Sequence, residues 1–307
     1  MPSFLDTAAI QHRLDHLPVE HVAAGQTLLA TGGSTGKLYF LKDGAMEVVM
    51  DGVRLGVESE PGNVLGELSA LLDRPHGADV RAAKDSTLHV ASADMIDSDT
   101  ALALYVATIL AKRIEAANHA LIEMRAELTE DQRRGLLKRI AAHLRYEGTE
   151  GVAPGYNLTP GPLLAAVNRL PVRAYEADDL VISAGEKTGK LHILEDAEVE
   201  VVSDGVQVGK LNARGTILGE IALLLDRPHG ADVRTLTPST IRIADGEAFL
   251  RGFPPASHHI AVITARRISA ANQAVVKERR LLDPDQPSAV TRLLDRITNS
   301  LRIGAFV

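Results

Sequence analysis

Two short stretches of this chain carry residues able to hold an anion beside a hydroxyl group. The first runs Gly62-Asn63-Val64-Leu65-Gly66-Glu67-Leu68-Ser69-Ala70-Leu71-Leu72 and continues Asp73-Arg74-Pro75-His76-Gly77-Ala78. The second runs Gly215-Thr216-Ile217-Leu218-Gly219-Glu220-Ile221-Ala222-Leu223-Leu224-Leu225 and continues Asp226-Arg227-Pro228-His229-Gly230-Ala231. Each reads as a glycine turn opening into a short helix. The first-turn N–H groups of such a helix lack partners and, with the aligned peptide dipoles, favour negative charge. Glu67 and Glu220 stand at these N-termini, where a carboxylate either complements the dipole or accepts a hydrogen bond from a ribose hydroxyl. Arg74 and Arg227 either offer a cation to an anionic ligand or are solvated loop residues paired with Asp73 and Asp226. His76 and His229 either line a ligand pocket or shape a turn. A hydrolytic pair of Glu67 and His76 lacks an accompanying metal-ligand cluster, activated nucleophile or P-loop. The expectation is therefore a protein that is not an enzyme and carries no cofactor.

These stretches are two copies of one thing. Sliding the sequence by 153 positions brings Leu17-Pro18-Val19 onto Leu170-Pro171-Val172 and Asp51-Gly52-Val53 onto Asp204-Gly205-Val206. Residues 71–81, LLDRPHGADVR, recur unchanged as residues 224–234. One inserted residue later, Ala111-Lys112-Arg113-Ile114 matches Ala265-Arg266-Arg267-Ile268 at an offset of 154. Two units of about 150 residues, each large enough for its own core, read as a duplicated domain, 1–152 and 153–307, divided near Gly151-Val152-Ala153-Pro154-Gly155.

The elements that must position the candidate residues are strands first and helices second. Lys37-Leu38-Tyr39-Phe40-Leu41 and Met46-Glu47-Val48-Val49-Met50 are short, β-prone runs, and the Asp43-Gly44 and Asp51-Gly52 pairs beside them predict hairpins. Several such strands with regular turns predict a compact antiparallel β-roll or jelly roll, so the fold class is α+β. Leu110, Ile114, Ala117, Leu121, Met124 and Leu128 then place six apolar side chains along one seam of a long helix. Ile268, Ala271, Val275 and Leu282 form a second seam, broken by Glu278. The two helices either pair as an intramolecular pseudo-dimer, helped by small Ala117 and Ala271, or pack each on its own roll. Residues 130–146 predict a short amphipathic helix closing the first module. Arg266-Arg267-Ile268-Ser269 looks like a basophilic kinase site, but with Ile268 in the seam it reads as structural.

The order of β-roll, Gly-Glu turn, Leu-Leu, Asp-Arg-Pro, Ala-Asp-Val-Arg and long helix resembles the cyclic nucleotide-binding domain of catabolite activator proteins and protein kinase A regulatory subunits. The resemblance implies a cyclic nucleotide such as cAMP in each roll, held around Gly66, Glu67, Leu68 and Arg74 to Ala78, and around Gly219, Glu220, Ile221 and Arg227 to Ala231. It implies that Glu67 and Glu220 bind the ribose 2′-hydroxyl. The arginine that meets the cyclic phosphate in that family is replaced by His76 and His229, and the phenylalanine before the Gly-Glu turn by Leu65 and Leu218. Imidazole gives fewer donors than a guanidinium and charges only near pH 6.5, so affinity for a cyclic monophosphate is expected to fall and to weaken as pH rises. In activator-like members a polar residue midway along the long helix reaches the purine, which points to Asn118 and Asn272.

Composition limits the partners. With 33 Lys plus Arg against 40 Asp plus Glu, the formal charge is −7, which disfavours a phosphate-gripping nucleic-acid binder. After Leu128 and after Leu282 too little sequence remains for the winged helix of a DNA-reading activator, so no DNA partner is expected. The absence of cysteine and of any run of about 18 apolar residues makes a cytoplasmic protein without a membrane partner the expectation. Two functions remain. One is a stand-alone bacterial regulator of activator type that binds a cyclic mononucleotide or dinucleotide and signals through its long helices to an effector protein, with homo-oligomers allowed. The other is a ligand-free dimerisation or scaffold protein of the same fold.

Overall fold

A computed structural model describes residues 5–123, 162–203, 206–280 and 289–302. The first module contains α1 (Thr7–Asp15), β1 (Val19–Val22), β2 (Thr27–Leu29), β3 (Lys37–Met50), β4 (Val53–Glu58), β5 (Val64–Leu65), α2 (Glu67–Leu72), β6 (Asp79–Ser92), α3 (Met95–Ser98) and α4 (Thr100–Glu123). The second contains α5 (Pro162–Val167), β7 (Val172–Tyr175), β8 (Leu180–Ile182), β9 (Lys190–Asp196), β10 (Val199–Ser203), β11 (Val206–Leu211), β12 (Ile217–Leu218), α6 (Glu220–Leu225), β13 (Asp232–Thr235), β14 (Ser239–Asp245), α7 (Gly246–Gly252), α8 (Pro254–Arg280) and α9 (Ala289–Arg302). The amphipathic stretch 130–146 and the boundary near 151–155 lie outside the described residues, as do Met124, Leu128 and Leu282.

All strand pairings are antiparallel, so the fold is α+β with jelly-roll-like β layers. In the second module the strands form two sheets, ordered β11-β10-β13-β8 and β12-β9-β14-β7. In the first module β3 and β6 run on without a break, joining the corresponding strands into one sheet of order β1-β6-β3-β4, with β2 on β6 and β5 on β3. Asp51-Gly52 makes the expected hairpin, closing β3 on β4 with both residues at positive φ. Asp43-Gly44 does not. It lies inside β3, where the register against β6 shifts between Leu41 and Met46. Gly44 has φ 115°, and a Cβ there would lie 2.5 Å from the Ser86 backbone. The pair therefore marks a bulge that bends the strand from one layer into the other.

Alternation along β3 divides its side chains between two cores. Leu38 and Phe40 face the helices, whereas Tyr39 and Leu41 face the interior of the roll with Met46, Val48 and Met50. The helix-side core is continuous across both modules. It joins Leu110, Ile114 and Ala117 of α4 to Ile268, Ala271 and Val275 of α8, each fully buried, because α4 and α8 pack against one another. α9 then crosses back over the first module, lying on α4 and β4 and burying Leu293, Leu294 and Ile297. Among the described residues no helix is long and apolar enough to cross a membrane.

Candidate ligand-binding site

The duplicated stretch owes its shape to three backbone requirements. Gly66 and Gly219 stand at φ 85° and 90° before their helices, and a Cβ would lie 2.9 Å from the Lys37 carbonyl oxygen or 2.7 Å from that of Lys190. Only glycine fits so close an approach at that φ. At the other end Asp73 and Asp226 leave the helix in the left-handed region, which aspartate tolerates, and Pro75 and Pro228 then follow, exposed. Finally the His76 main chain forms a two-way bridge, its N–H donating to the Gly33 carbonyl and its carbonyl accepting from Gly32, each at 2.8 Å. His229 does the same with Glu186 and Gly185, at 2.9 and 2.8 Å. Survival of the motif in both copies therefore has a structural cause, whatever else it does.

The two glutamates do not face open space. Glu67, 3% exposed, meets the Arg113 guanidinium of α4 at 3.1 Å, and the same guanidinium lies 3.2 Å from buried Glu58 and 3.3 Å from the Val64 carbonyl oxygen. Asn63 Nδ2 donates to the other Glu58 oxygen at 2.6 Å. In the second module Arg267 of α8 donates to Glu220 at 2.5 Å. Burial pushes the Glu220 carboxyl above its ordinary value, and the guanidinium opposes that rise. Both acids stand in the first turn of their helices, where they complement the dipole, and an arginine from the module's own long helix also holds each. Leu68 and Ile221 are half-buried against the shared core.

Arg74 and Arg227 differ from the expectation of a loop arginine paired with its neighbour. Neither pairs with its neighbouring aspartate among the described contacts. Arg74 Nη2 donates to Ser269 Oγ on α8, and Arg227 Nη1 lies 2.5 Å from Glu115 on α4. Asp226 is instead held by Lys187 at 2.8 Å. Arg74 and Arg227 correspond in the repeat, as do Glu115 and Ser269, so the two contacts are one reciprocal crossing in which each turn grips the other module's long helix. Burial lowers the Arg74 pKa.

His76 and His229 are buried, with Nε2 of each hydrogen-bonded to a threonine hydroxyl: Thr35 at 3.3 Å and Thr188 at 2.9 Å. Burial lowers both imidazoles, against the opposing pull of Glu67 on His76 and of Glu186 on His229. Gly77 and Gly230 are exposed, and Ala78 and Ala231 pack at the edge of their rolls. The side chain of Asn118 lies outside the described residues. Asn272 is fully buried, and among the described residues neither its Oδ1 nor its Nδ2 has a hydrogen-bond partner. One turn further along α8, Val276 packs among the interior residues of the first roll, with Tyr39, Met46 and Leu55. Residues i and i+4 share a helix face, so Asn272 is directed to the first module and not to its own.

Arg113, Arg267, Glu58 and Glu115 were not singled out from sequence as site residues. The first two carried a signal, because an arginine recurs at one position of both copies, next to a seam residue on an otherwise apolar face. Glu58 carried none, since Leu211 replaces it in the second copy.

Comparison with known proteins follows the same lines. The chain is 24% identical over 257 residues to a cAMP-dependent protein kinase regulatory subunit of Yarrowia lipolytica, covering 83% of this chain and 59% of the relative. It is 23% identical over 244 residues to that of Eremothecium gossypii, covering 79% and 45%. The chain thus spans about half the length of these curated relatives. Among solved structures, the regulatory subunit of a cAMP-independent protein kinase A from Trypanosoma brucei aligns over 92% of this chain and 84% of its own, with 18% identity and a TM-score of 0.34. The family model for the cyclic nucleotide-binding domain matches residues 19–98 and 172–253, one β-roll each. With more than half of its length matched in two tandem segments, the chain belongs to the cyclic nucleotide-binding domain family.

Proposed function

We propose that the chain is a non-enzymatic tandem sensor, in which a nucleotide bound in the β-rolls changes how the two long helices sit and so signals to an effector protein. The observation that carries this reading is Asn272. A buried amide with both ends unpartnered costs on the order of 1–3 kcal/mol per unmet group, and such groups are few in native proteins. Directed at the first roll beside Val276, this amide can donate to and accept from a purine edge, and no cofactor is needed. The reciprocal grip of Arg74 on α8 and of Arg227 on α4 supplies the output. Any ligand that moves the Pro-His turn also moves an anchor on the opposite helix. The curated relatives are regulatory subunits of a kinase, which supports an effector that is itself a protein.

The test is calorimetry and thermal melting of the full chain with cAMP, cGMP and cyclic dinucleotides, alongside Asn272→Leu. The expected result is a stabilising nucleotide whose effect shrinks in the variant, while the ligand-free variant melts higher than the parent. A chain whose melting no nucleotide shifts, in parent and variant alike, would favour the scaffold reading. That second reading has its own observation: Glu58 and Glu67 are both buried and both turned to the Arg113 guanidinium, which competes with a sugar for the Glu67 carboxylate.

A further inference from the structure

Beside its Gly-Glu turn the second roll places two imidazoles where the first places one. Alternation along β9 sends Leu191 and Ile193 to the shared helix-side core and Leu194, with His192 on the same face, to the roll. His192 is 4% exposed and its Nδ1 has no hydrogen-bond partner among the described residues. Its strand neighbour across β12 is Leu218, the residue before Gly219, while the His229 ring lies 3.3 Å from where a Gly219 Cβ would be. Both imidazoles therefore adjoin the Gly219 turn. Tyr39 stands at the corresponding place of the first roll.

We infer that the second roll is an anion site of its own kind, in which His192 and His229 together take the phosphate of a nucleotide with uptake of protons. The inference rests on the sensor reading above and assigns the chemistry of one of its two sites. The surrounding charges favour it. Arg173 and Lys190 face His192, whereas Glu20 takes the place of Arg173 in the first roll and faces Tyr39. Of the acids nearby, Glu220 is paired with Arg267 through one of its oxygens and Asp226 with Lys187, while Glu186 pulls on His229.

Burial, with His229, Lys190 and Arg173 adding to it, holds the free His192 down to about 4, and burial lowers His229 as well. Both imidazoles are neutral in the ligand-free protein near pH 7, and a bound phosphate favours their charged forms. The complex then binds more protons than the free chain. Affinity for a cyclic monophosphate, whose single charge does not change in this range, accordingly rises as pH falls from neutrality, up to roughly tenfold per pH unit for each proton taken up.

The experiment follows the histidine ring C–H resonances of the full chain by NMR during titration with inorganic phosphate, against sodium chloride of equal ionic strength, at pH 7.5 and 6. A parallel calorimetric series uses cAMP with the parent and with His192→Tyr, which installs the first roll's own residue. Phosphate is expected to move the His192 and His229 signals and leave His76 in place, and His192→Tyr to lower cAMP affinity at pH 6 by fivefold or more and flatten its pH dependence. The inference fails if neither ring responds, if His76 responds as strongly as His229, or if His192→Tyr keeps both affinity and pH slope. Binding of cAMP that is unaltered by His192→Tyr at either pH would sink the inference and leave the sensor reading standing. Absence of any nucleotide binding would sink the sensor reading, with the phosphate resonances still deciding whether the anion site exists.

Discussion

Removing the Arg267 guanidinium while keeping Glu220 strands a carboxylate that is 1% exposed, and the size of the loss can be bounded in two ways. Breaking a buried ion pair from one side costs about 3–5 kcal/mol. Independently, the carboxyl can escape by taking a proton. At pH 7 that costs about 1.36 kcal/mol for each of the 2.5 pH units above its ordinary value of 4.5, or about 3.4 kcal/mol. The two agree, so Arg267→Met is expected to lose about 3 kcal/mol at pH 7. At pH 5.5 the proton costs only about 1.4 kcal/mol, and the deficit should shrink accordingly. The sign follows from the raised folded-state pKa, since a neutral buried acid is favoured below it and penalised as pH rises through it. Urea denaturation of parent, Arg267→Met and Glu220→Gln/Arg267→Met at both pH values is the assay. The double variant should lose the pH dependence. An Arg267→Met deficit that is equal at pH 5.5 and 7 would mean that lost packing, and not a stranded charge, is responsible, and would refute the reasoning.

Gly219→Ala should destabilise the second module by about 1–3 kcal/mol, because it combines a strained φ with a contact against the Lys190 backbone; a melting temperature within a degree of the parent would contradict this. Arg227→Ala removes a largely exposed ion pair and should cost at most about 1 kcal/mol, yet speed amide exchange in the middle of α4, as measured by hydrogen–deuterium exchange. Ser269→Glu puts a carboxylate opposite Arg74 where Glu115 already stands opposite Arg227, so it should raise the melting temperature slightly; a fall would show that the two crossings are not interchangeable. His229→Arg replaces a titrating group with a permanent cation, so cAMP binding to the second roll should become stronger at pH 7.5 and keep only the shallower pH dependence that His192 supplies down to pH 6, by calorimetry.

The repeat, the β-rolls and the apolar seams were legible in the sequence because duplication and periodicity are written in residue type. The Asp43-Gly44 pair was read as a hairpin since a two-residue signal does not tell a reversal from a bulge; what decides is Ser86, 42 residues away, closing against Gly44. The acids of the two turns were found, but their partners were not. Arg113 and Arg267 lie 46 and 47 residues downstream of Glu67 and Glu220, and nothing local marks them as counter-ions. Arg74 and Arg227 were weighed only against their neighbours, because a contact that exists only when two modules meet leaves no trace in either repeat alone. The direction of Asn272 was hidden for the same reason, and became readable from Val276 once that residue was seen among the side chains of the first roll.

α9 belongs to the second repeat by sequence but spends its apolar face on the first. Fragments split anywhere between the repeats would each carry half of a shared interior. Expressed together they should find one another and restore a working whole, as in a complementation assay, whereas either alone should aggregate or be degraded. A deletion starting at Ala289 would for the same reason be felt earliest in the half of the chain farthest from the cut.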